Sequence, residues 1–134
     1  MKIAVGFIDT PAGHAAVDKA IEEAQLRNAG LVIVNSKLGG RHDDAEDFIA
    51  MAQELRKLEA HLAELGIEFE THEYARGQTP SQDILAAATE HGAGMIVIGV
   101  RTRSTTGKML LGSTALEVLH DTTIPVLCVK APPG

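Results

Sequence analysis

Short apolar runs recur along the chain, and segments with helical periodicity separate them. The runs are rich in Val, Ile and Leu, which is typical of strands buried on both faces of a sheet. They predict five β-strands, at residues 2–8, 31–34, 68–74, 94–98 and 124–130. Thr71 and Glu73 make the third strand the most polar, and we expect it near the edge of the sheet.

The segments between the strands predict four amphipathic helices. The first follows the turn at 9–13, and the second spans residues 44–65. The third begins with Thr79 as its N-cap and Pro80 at its first position, and the fourth spans residues 113–120. The long second helix carries an apolar stripe that we expect to be core: Phe48, Met51, Leu55, Leu58, Leu62 and Leu65.

The alternation of strands and helices decides the fold class. A strand, a helix and a second strand require a crossover, and right-handed crossovers give a parallel sheet. The chain is therefore predicted to be a doubly wound α/β protein, a five-stranded parallel sheet with helices on both faces. Its 134 residues are close to the commonest size of a domain, so we expect residues 1–134 to form a single domain.

Composition and charge narrow the possible partners. The formal net charge is −6, and the evident basic cluster consists of Arg101, Arg103 and Lys108, which suits a small anion better than a nucleic acid. No apolar run approaches the about 20 residues that span a bilayer, so we expect no membrane insertion and a cytoplasmic location. Cys128, the sole cysteine, stands in an apolar strand and is expected to be buried.

The segment 98–114 is the strongest functional signal. It leads from the end of the fourth strand, at Ile98, through a polar loop into the helix start at Gly112, Ser113 and Thr114. Unpaired amides and the positive end of the helix dipole point at such a position, and phosphate fits there. Ser113 can cap the helix, contact phosphate, or do both.

Two of the loop's basic residues are candidates for the same anion. Lys108 is either a phosphate contact or a solvated lysine, and both interpretations stay open. If the strand geometry persists beyond residue 100, Arg101 and Arg103 point in opposite directions. We assign Arg101 to the ligand side.

The spacing Gly99-x2-Thr102-x9-Gly112-Ser113 resembles the universal stress protein pattern Gly-x2-Gly-x9-Gly-Ser/Thr, whose glycines and final hydroxyl line an ATP site. Thr102 stands where the family has its second glycine. The resemblance covers essentially the whole chain, because 1–8 and 124–130 are similar to the family's first and closing strands. It implies the strand order 3-2-1-4-5 and a homodimer that pairs through the C-terminal strand.

A second departure follows the first strand. Residues 7–11 replace the family's apolar-Asp-Gly-Ser-Pro, which places Ile8 where the family has its adenosine-contacting aspartate. Asp9 lies one residue later, and such a shift at a strand end can turn the side chain to the other face. The resemblance implies that adenosine rests near Phe7, Ile8, Asp9 and Ser36.

Other chemistry finds less support in the sequence. A P-loop would need glycine at Thr102 and a hydroxyl residue at Met109, so we reject it. The cluster His42, Asp43, Asp44 and Glu46 is explained by a helix N-terminus, and the five remaining histidines are scattered, so we assign no metal ligands. We find no nucleophile elbow and no catalytic residues.

The sequence therefore predicts a universal stress protein-like domain that binds ATP or another adenine nucleotide, with or without Mg²⁺, in stress response or signalling. Two alternatives remain. Because Ile8 and Thr102 depart from nucleotide-binding positions, the chain could be a dimeric interaction module without nucleotide. A slow ATPase is the weaker alternative, with Asp9 the one candidate carboxylate near the loop. We lean against enzyme activity.

Overall fold

The computed structural model describes residues 1–36, 45–74, 78–100 and 112–131. Its strands are β1 Lys2–Gly6, β2 Gly30–Ser36, β3 Phe69–Tyr74, β4 Met95–Val100 and β5 Val126–Lys130. Its helices are α1 Pro11–Arg27, α2 Ala45–Leu65, α3 Pro80–Glu90 and α4 Ser113–Asp121. The strands form a parallel sheet in the order β3-β2-β1-β4-β5, which confirms the predicted fold class and strand order.

The sheet separates two hydrophobic clusters because successive strand residues point to opposite faces. Ile3 and Val5 of β1 belong to the cluster beneath α1 and α2. Ala4 and Val32 belong to the cluster beneath α3 and α4. Both faces of the central strands are therefore buried, which explains why these strands are continuous apolar runs.

The apolar stripe of α2 is mostly core, as predicted. Leu55 and Leu62 are fully buried, and Met51 and Leu58 pack against them while partly exposed. Leu65 is 40% exposed, so its assignment to the core was wrong. The helix ends at this residue, and Gly66 turns the chain away with a φ of +71°. The side chain of Phe48 lies outside the described part of the structure.

The start of α3 confirms the predicted capping signal. The Oγ1 of Thr79 accepts a hydrogen bond from the amide of Gln82 at 3.3 Å, and the Gln82 side chain accepts one from the Thr79 amide at 2.9 Å. Pro80 occupies the first turn, where its missing N–H costs nothing. This reciprocal cap fixes where the helix begins at the carboxyl edge of the sheet.

The first strand is shorter than predicted, ending at Gly6 instead of Ile8. The side-chain amide of Asn35 donates to the Phe7 carbonyl at 2.9 Å, and the Ile8 carbonyl accepts from Thr10 at 2.9 Å. The Phe7 amide still donates to the Val34 carbonyl at 2.9 Å, but a side chain and a turn take up the two carbonyls that would otherwise continue the sheet. Residues 7–9 consequently form the loop into α1.

The edge strand β5 corrects the prediction for Cys128, which is exposed. In the described chain β5 is the last strand of the sheet and pairs with β4 alone. Cys128 lies opposite Ile98 in this pairing. An apolar strand pattern therefore does not imply burial at a sheet edge. Partial burial still raises the pKa of the Cys128 thiol above its usual value.

None of the helices among the described residues is long and apolar enough to cross a membrane.

Candidate functional site at the carboxyl edge of the sheet

A cavity of about 130 Å³ lies at the carboxyl ends of β1, β2 and β4, beside the first turns of α1, α3 and α4. This is the crevice where doubly wound sheets bind ligands. Its volume is below the about 300–1,000 Å³ of typical ligand pockets, so it would hold one ring system of a larger ligand. The lining residues are Gly6, Phe7, Ile8, Gly13, Val34, Ser36, Pro80, Ile84, Ile98, Gly99 and Thr114.

Ser36 supplies an unsatisfied polar group to this mostly apolar lining. Its Oγ is buried and has no hydrogen-bond partner among the residues that the structure describes. Buried hydroxyls are usually paired, because leaving one unpaired costs about 1–3 kcal/mol. Because Ser36 lines the cavity, rotation of its side chain would bring this hydroxyl to a polar atom of a ligand.

The N-terminus of α4 borders the cavity at Thr114. The N-cap is Gly112, which has no side chain to cap with, and the hydrogen bonding of the helix begins with the Leu116 amide donating to the Gly112 carbonyl at 3.1 Å. The amides of residues 113–115 precede this bond and carry the positive end of the helix dipole. By contrast, α1 has a side-chain cap, because the Oγ1 of Thr10 accepts a hydrogen bond from the Gly13 amide at 3.1 Å.

The structure therefore contradicts the capping role that was considered for Ser113. Ser113 is the first helical residue, exposed and without a capping hydrogen bond, because the extended N-cap conformation falls on Gly112. A residue inside the helix directs its side chain away from the first amides that an N-cap would satisfy. Its hydroxyl remains exposed at the helix start.

Two glycines of the site are required for packing. A β-carbon added at Gly99 would lie 2.3 Å from the carbonyl oxygen of Ala12, and one added at Gly13 would lie 2.0 Å from that of Ile8. Gly112 differs, since an added β-carbon would meet nothing within 4 Å among the described atoms. Gly99 of the motif thus allows α1 to pack against β4, whereas no described atom restricts Gly112 in this way.

The residues predicted to contact adenosine separate into two groups. Phe7 and Ile8 line the cavity, with Phe7 2% exposed in the core and Ile8 43% exposed. Asp9 lies outside the lining, and its Oδ1 is 2.8 Å from Nε2 of His14. The shift of one residue relative to the family pattern therefore directs this carboxylate to α1. Four further residues that were predicted to bind the nucleotide also line the cavity: Ser36, Ile98, Gly99 and Thr114.

Several predicted residues lie outside the described part of the chain. These are the phosphate-side candidates Arg101, Thr102 and Lys108, and the acidic cluster His42, Asp43 and Asp44, together with the Glu46 side chain.

Sequence reasoning missed five of the lining residues: Gly6, Gly13, Val34, Pro80 and Ile84. Val34 pairs in register with Gly6, so a strand-pairing argument could have placed it beside the end of β1. The capping signal at Thr79 and Pro80 predicted the start of α3, but not the strand end that it faces. That adjacency depends on the packing of α3 on the sheet.

Two histidines that the sequence treats as scattered are brought together elsewhere in the fold. The rings of His72 in β3 and His91 at the C-cap of α3 have centroids 4.6 Å apart, tilted by 41°. They lie beside Glu70, whose Oε2 is 3.4 Å from Nδ1 of His91. Because His72 and His91 are 19 positions apart in the sequence, no short sequence motif contains both.

The structure is that of a doubly wound α/β protein with a cavity at the carboxyl edge of its sheet. The model of the universal stress protein family matches residues 1–130. A universal stress protein from Mycolicibacterium smegmatis is 39% identical over 128 residues, which are 96% of this chain and 96% of that protein. The chain belongs to the universal stress protein family.

Solved structures agree with this assignment. The universal stress protein from Archaeoglobus fulgidus superposes with a TM-score of 0.78 at 36% identity, covering 97% of this chain and 98% of that one. A second structure from A. fulgidus, a universal stress protein in complex with dAMP, has a TM-score of 0.68 at 30% identity over 97% and 98% of the two chains. Adenine-nucleotide binding therefore occurs in the family.

Proposed function

We propose that this protein binds an adenine nucleotide at the carboxyl edge of its sheet, as a single binding domain that spans residues 1–134. The base would occupy the cavity between β1, β2 and β4, with the sugar at its mouth and the phosphates in front of α4. The observation that carries the proposal is the buried, unpartnered Oγ of Ser36 in the wall of that cavity. The A. fulgidus relative in complex with dAMP supports the choice of adenine.

The surroundings of the cavity suit the two ends of such a ligand. The apolar lining, including Val34, Ile84 and Ile98, would contact a planar base, and Ser36 would hydrogen bond to a polar edge or a ribose hydroxyl. The first amides of α4, at residues 113–115, would bind phosphate oxygens. Arg101, Thr102, Lys108 and the Ser113 hydroxyl are the further phosphate contacts that we propose, with Mg²⁺ as an optional companion of ATP.

Calorimetry with AMP, ADP and ATP tests the proposal directly. Binding to the wild-type chain is expected below ~1 mM, a concentration at which an interaction of about −4 kcal/mol registers. Ser36→Ala should weaken it by about 3- to 10-fold, the equivalent of one hydrogen bond. The absence of heat with all three nucleotides would overturn the proposal.

A glycine series locates the phosphates. Gly112→Val should abolish binding, because a branched side chain would take the place that we propose for the phosphates in front of α4. Thr102→Gly should preserve or tighten binding, since it restores the glycine of the family pattern. Leu119→Val is the matched control, an exposed position near the other end of α4 that should bind as the wild type does. Equal affinities for Gly112→Val and Leu119→Val would contradict phosphate binding at this helix.

A dimeric interaction module is the second candidate, and the edge strand β5 favours it. Val126, Leu127 and Val129 are partly exposed on a strand that pairs in the described chain with β4 alone. An apolar edge promotes association, so we propose a homodimer through β5, with or without nucleotide. If calorimetry detects no nucleotide, this candidate takes first place.

We propose no turnover as the main function. A slow ATPase would need a carboxylate to position water or metal near the phosphates, and Asp9 is instead hydrogen bonded to His14. A cytoplasmic binding protein that acts in stress response or signalling is the role that we propose. Phosphate release from ATP at no more than the buffer rate is the expected assay result.

A further inference from the structure

Glu70, His72 and His91 form a compact cluster away from the cavity at the carboxyl edge. Their potential ligand atoms, one carboxylate oxygen and one nitrogen from each ring, all lie within 4.8 Å of one another. We propose that this cluster binds a divalent transition-metal ion of the zinc class. Two imidazoles and one carboxylate are a donor set that zinc accepts, with water completing the coordination.

The scaffold holds these side chains on regular secondary structure. Glu70 and His72 are two residues apart on β3 and therefore share a face of the strand. Their partners on β2 are Val32 and Val34, which pack on the side of the sheet that α3 covers. His91 is the C-cap of that helix, and its amide donates to Ala87 at 3.0 Å. Ligands on rigid elements keep their separation when a metal arrives.

The distances require an adjustment that side chains alone can make. Ligand atoms around a tetrahedral zinc at about 2.0–2.2 Å stand roughly 3.3–3.6 Å apart, less than the 4.8 Å limit of the cluster. The Glu70 side chain is 46% exposed, and it can rotate toward the rings if it leaves Lys2. Because β3 is an edge strand, solvent reaches the cluster, so the ion has an entry path and room for water ligands.

The present charges and polar groups are consistent with a cation site. His91 is 18% exposed, and its Nε2 is buried without a hydrogen-bond partner in the described chain, while its Nδ1 faces Glu70. Nζ of Lys2 lies 3.2 Å from Oε2 of Glu70, so a cation already approaches this carboxylate. Lys2 would compete with a metal ion, although an exposed ion pair of this kind is weak.

A second group, Asp9, His14 and Glu54, meets the same distance criterion but suits zinc less well. It offers one imidazole, and Nε2 of that ring is hydrogen bonded to Asp9 at 2.8 Å. The side chains of His14 and Asp9 are also 45% and 46% exposed. The Glu70 cluster provides the second imidazole, so zinc is expected there first.

Zinc titration of the full chain, first stripped with a chelator, tests the site by competition with a chromogenic chelator. One equivalent is expected to bind to the wild type. His72→Gln and His91→Gln should each weaken binding by about 10-fold or more, since even the loss of an outer-shell partner costs 10- to 100-fold. Lys2→Gln should strengthen it several-fold by removing the competing cation. His61→Gln and His120→Gln are matched controls that should leave the affinity unchanged.

Resonances of the histidine rings give an independent measurement on the wild-type protein. Zinc should shift the imidazole signals of His72 and His91 and leave those of His61 and His120 in place. This arm decides the question even if His91→Gln fails to fold. The proposal is overturned if the wild type binds no zinc, if binding survives both substitutions in the cluster, or if His14→Gln abolishes it instead.

Discussion

Gly99 lies against the backbone of Ala12 so closely that a β-carbon on Gly99 would be 2.3 Å from the Ala12 carbonyl oxygen. This contact joins the carboxyl end of β4 to the first turn of α1. Gly99 is also the first glycine of the motif that resembles an ATP site. Its presence is therefore explained by packing alone, and Gly112 is the glycine of the motif that the described fold leaves without such a constraint.

Alanine substitutions at these two glycines should have different effects on the stability of the fold. Gly99→Ala is expected to lower the free energy of unfolding by about 3 kcal/mol, at the upper end of overpacking effects, because the clash involves backbone. Gly112→Ala should change it by less than about 1 kcal/mol, since its β-carbon would meet none of the described atoms within 4 Å. Urea unfolding followed by circular dichroism measures both. A stable Gly99→Ala variant would show that α1 can move away from β4.

The two ends of the α2 stripe should respond differently to truncation. Leu62→Ala is expected to cost about 2–5 kcal/mol, because Leu62 is fully buried beneath the sheet. Leu65→Ala, one turn later and 40% exposed, should cost about 0.5 kcal/mol or less. Denaturant midpoints of the two variants provide the comparison. Equal losses would mean that Leu65 packs against something that its exposure does not reveal.

His120 should titrate above the ordinary histidine value of 6.5. Its Nδ1 is 2.8 Å from Oδ1 of Asp121, and this hydrogen bond raises its pKa by favouring the protonated ring. The protonated pair therefore contributes its full stabilisation below pH 6.5, and the contribution is lost as the pH rises through the raised pKa.

Titration of the His120 ring signals by NMR checks this direction. In Asp121→Asn the carboxylate charge is absent, and the midpoint should move down toward 6.5. Identical midpoints in the two proteins would refute the assignment of the shift to Asp121.

The β5 edge should carry the dimer contact. Val126→Lys is expected to shift the chain toward monomer at tens of micromolar, an order of magnitude for stable assemblies, because a charge on a paired edge opposes association. Leu26→Lys is the control, an apolar residue that is 79% exposed on α1 and outside the edge. Light scattering with a thermal melt of each variant separates dissociation from unfolding. A monomeric wild type at that concentration would rule the dimer out.

Local patterns predicted most of the fold and part of the site. Thr79 and Pro80 specified the start of α3 through their own hydrogen-bonding chemistry, and the glycine motif predicted the cavity walls at Ile98, Gly99 and Thr114. The failures share a cause, since Cys128 and Leu65 have core-like patterns but lie at an edge and at a helix end. Periodicity reports which face a residue occupies, not whether anything covers that face.

Contacts across the fold were the hardest to predict. His72 and His91 meet because α3 returns along the sheet to β3, and no local rule states where that helix ends relative to the strand. Asp9 is a related case, because the alternation at a strand end allowed either face and the hydrogen bond with His14 decided it. Sequence spacing alone contains neither piece of information.

The walls of the cavity at the carboxyl edge come from both hydrophobic clusters, with Phe7 from one and Val34 and Ile84 from the other. A ligand seated there would contact both helical layers, and the unfolded chain has no equivalent site. At a hundredfold excess over its Kd, such a ligand adds about 2.7 kcal/mol to the native state. Since proteases remove unfolded chains, the lifetime of this protein in a cell would follow its nucleotide supply.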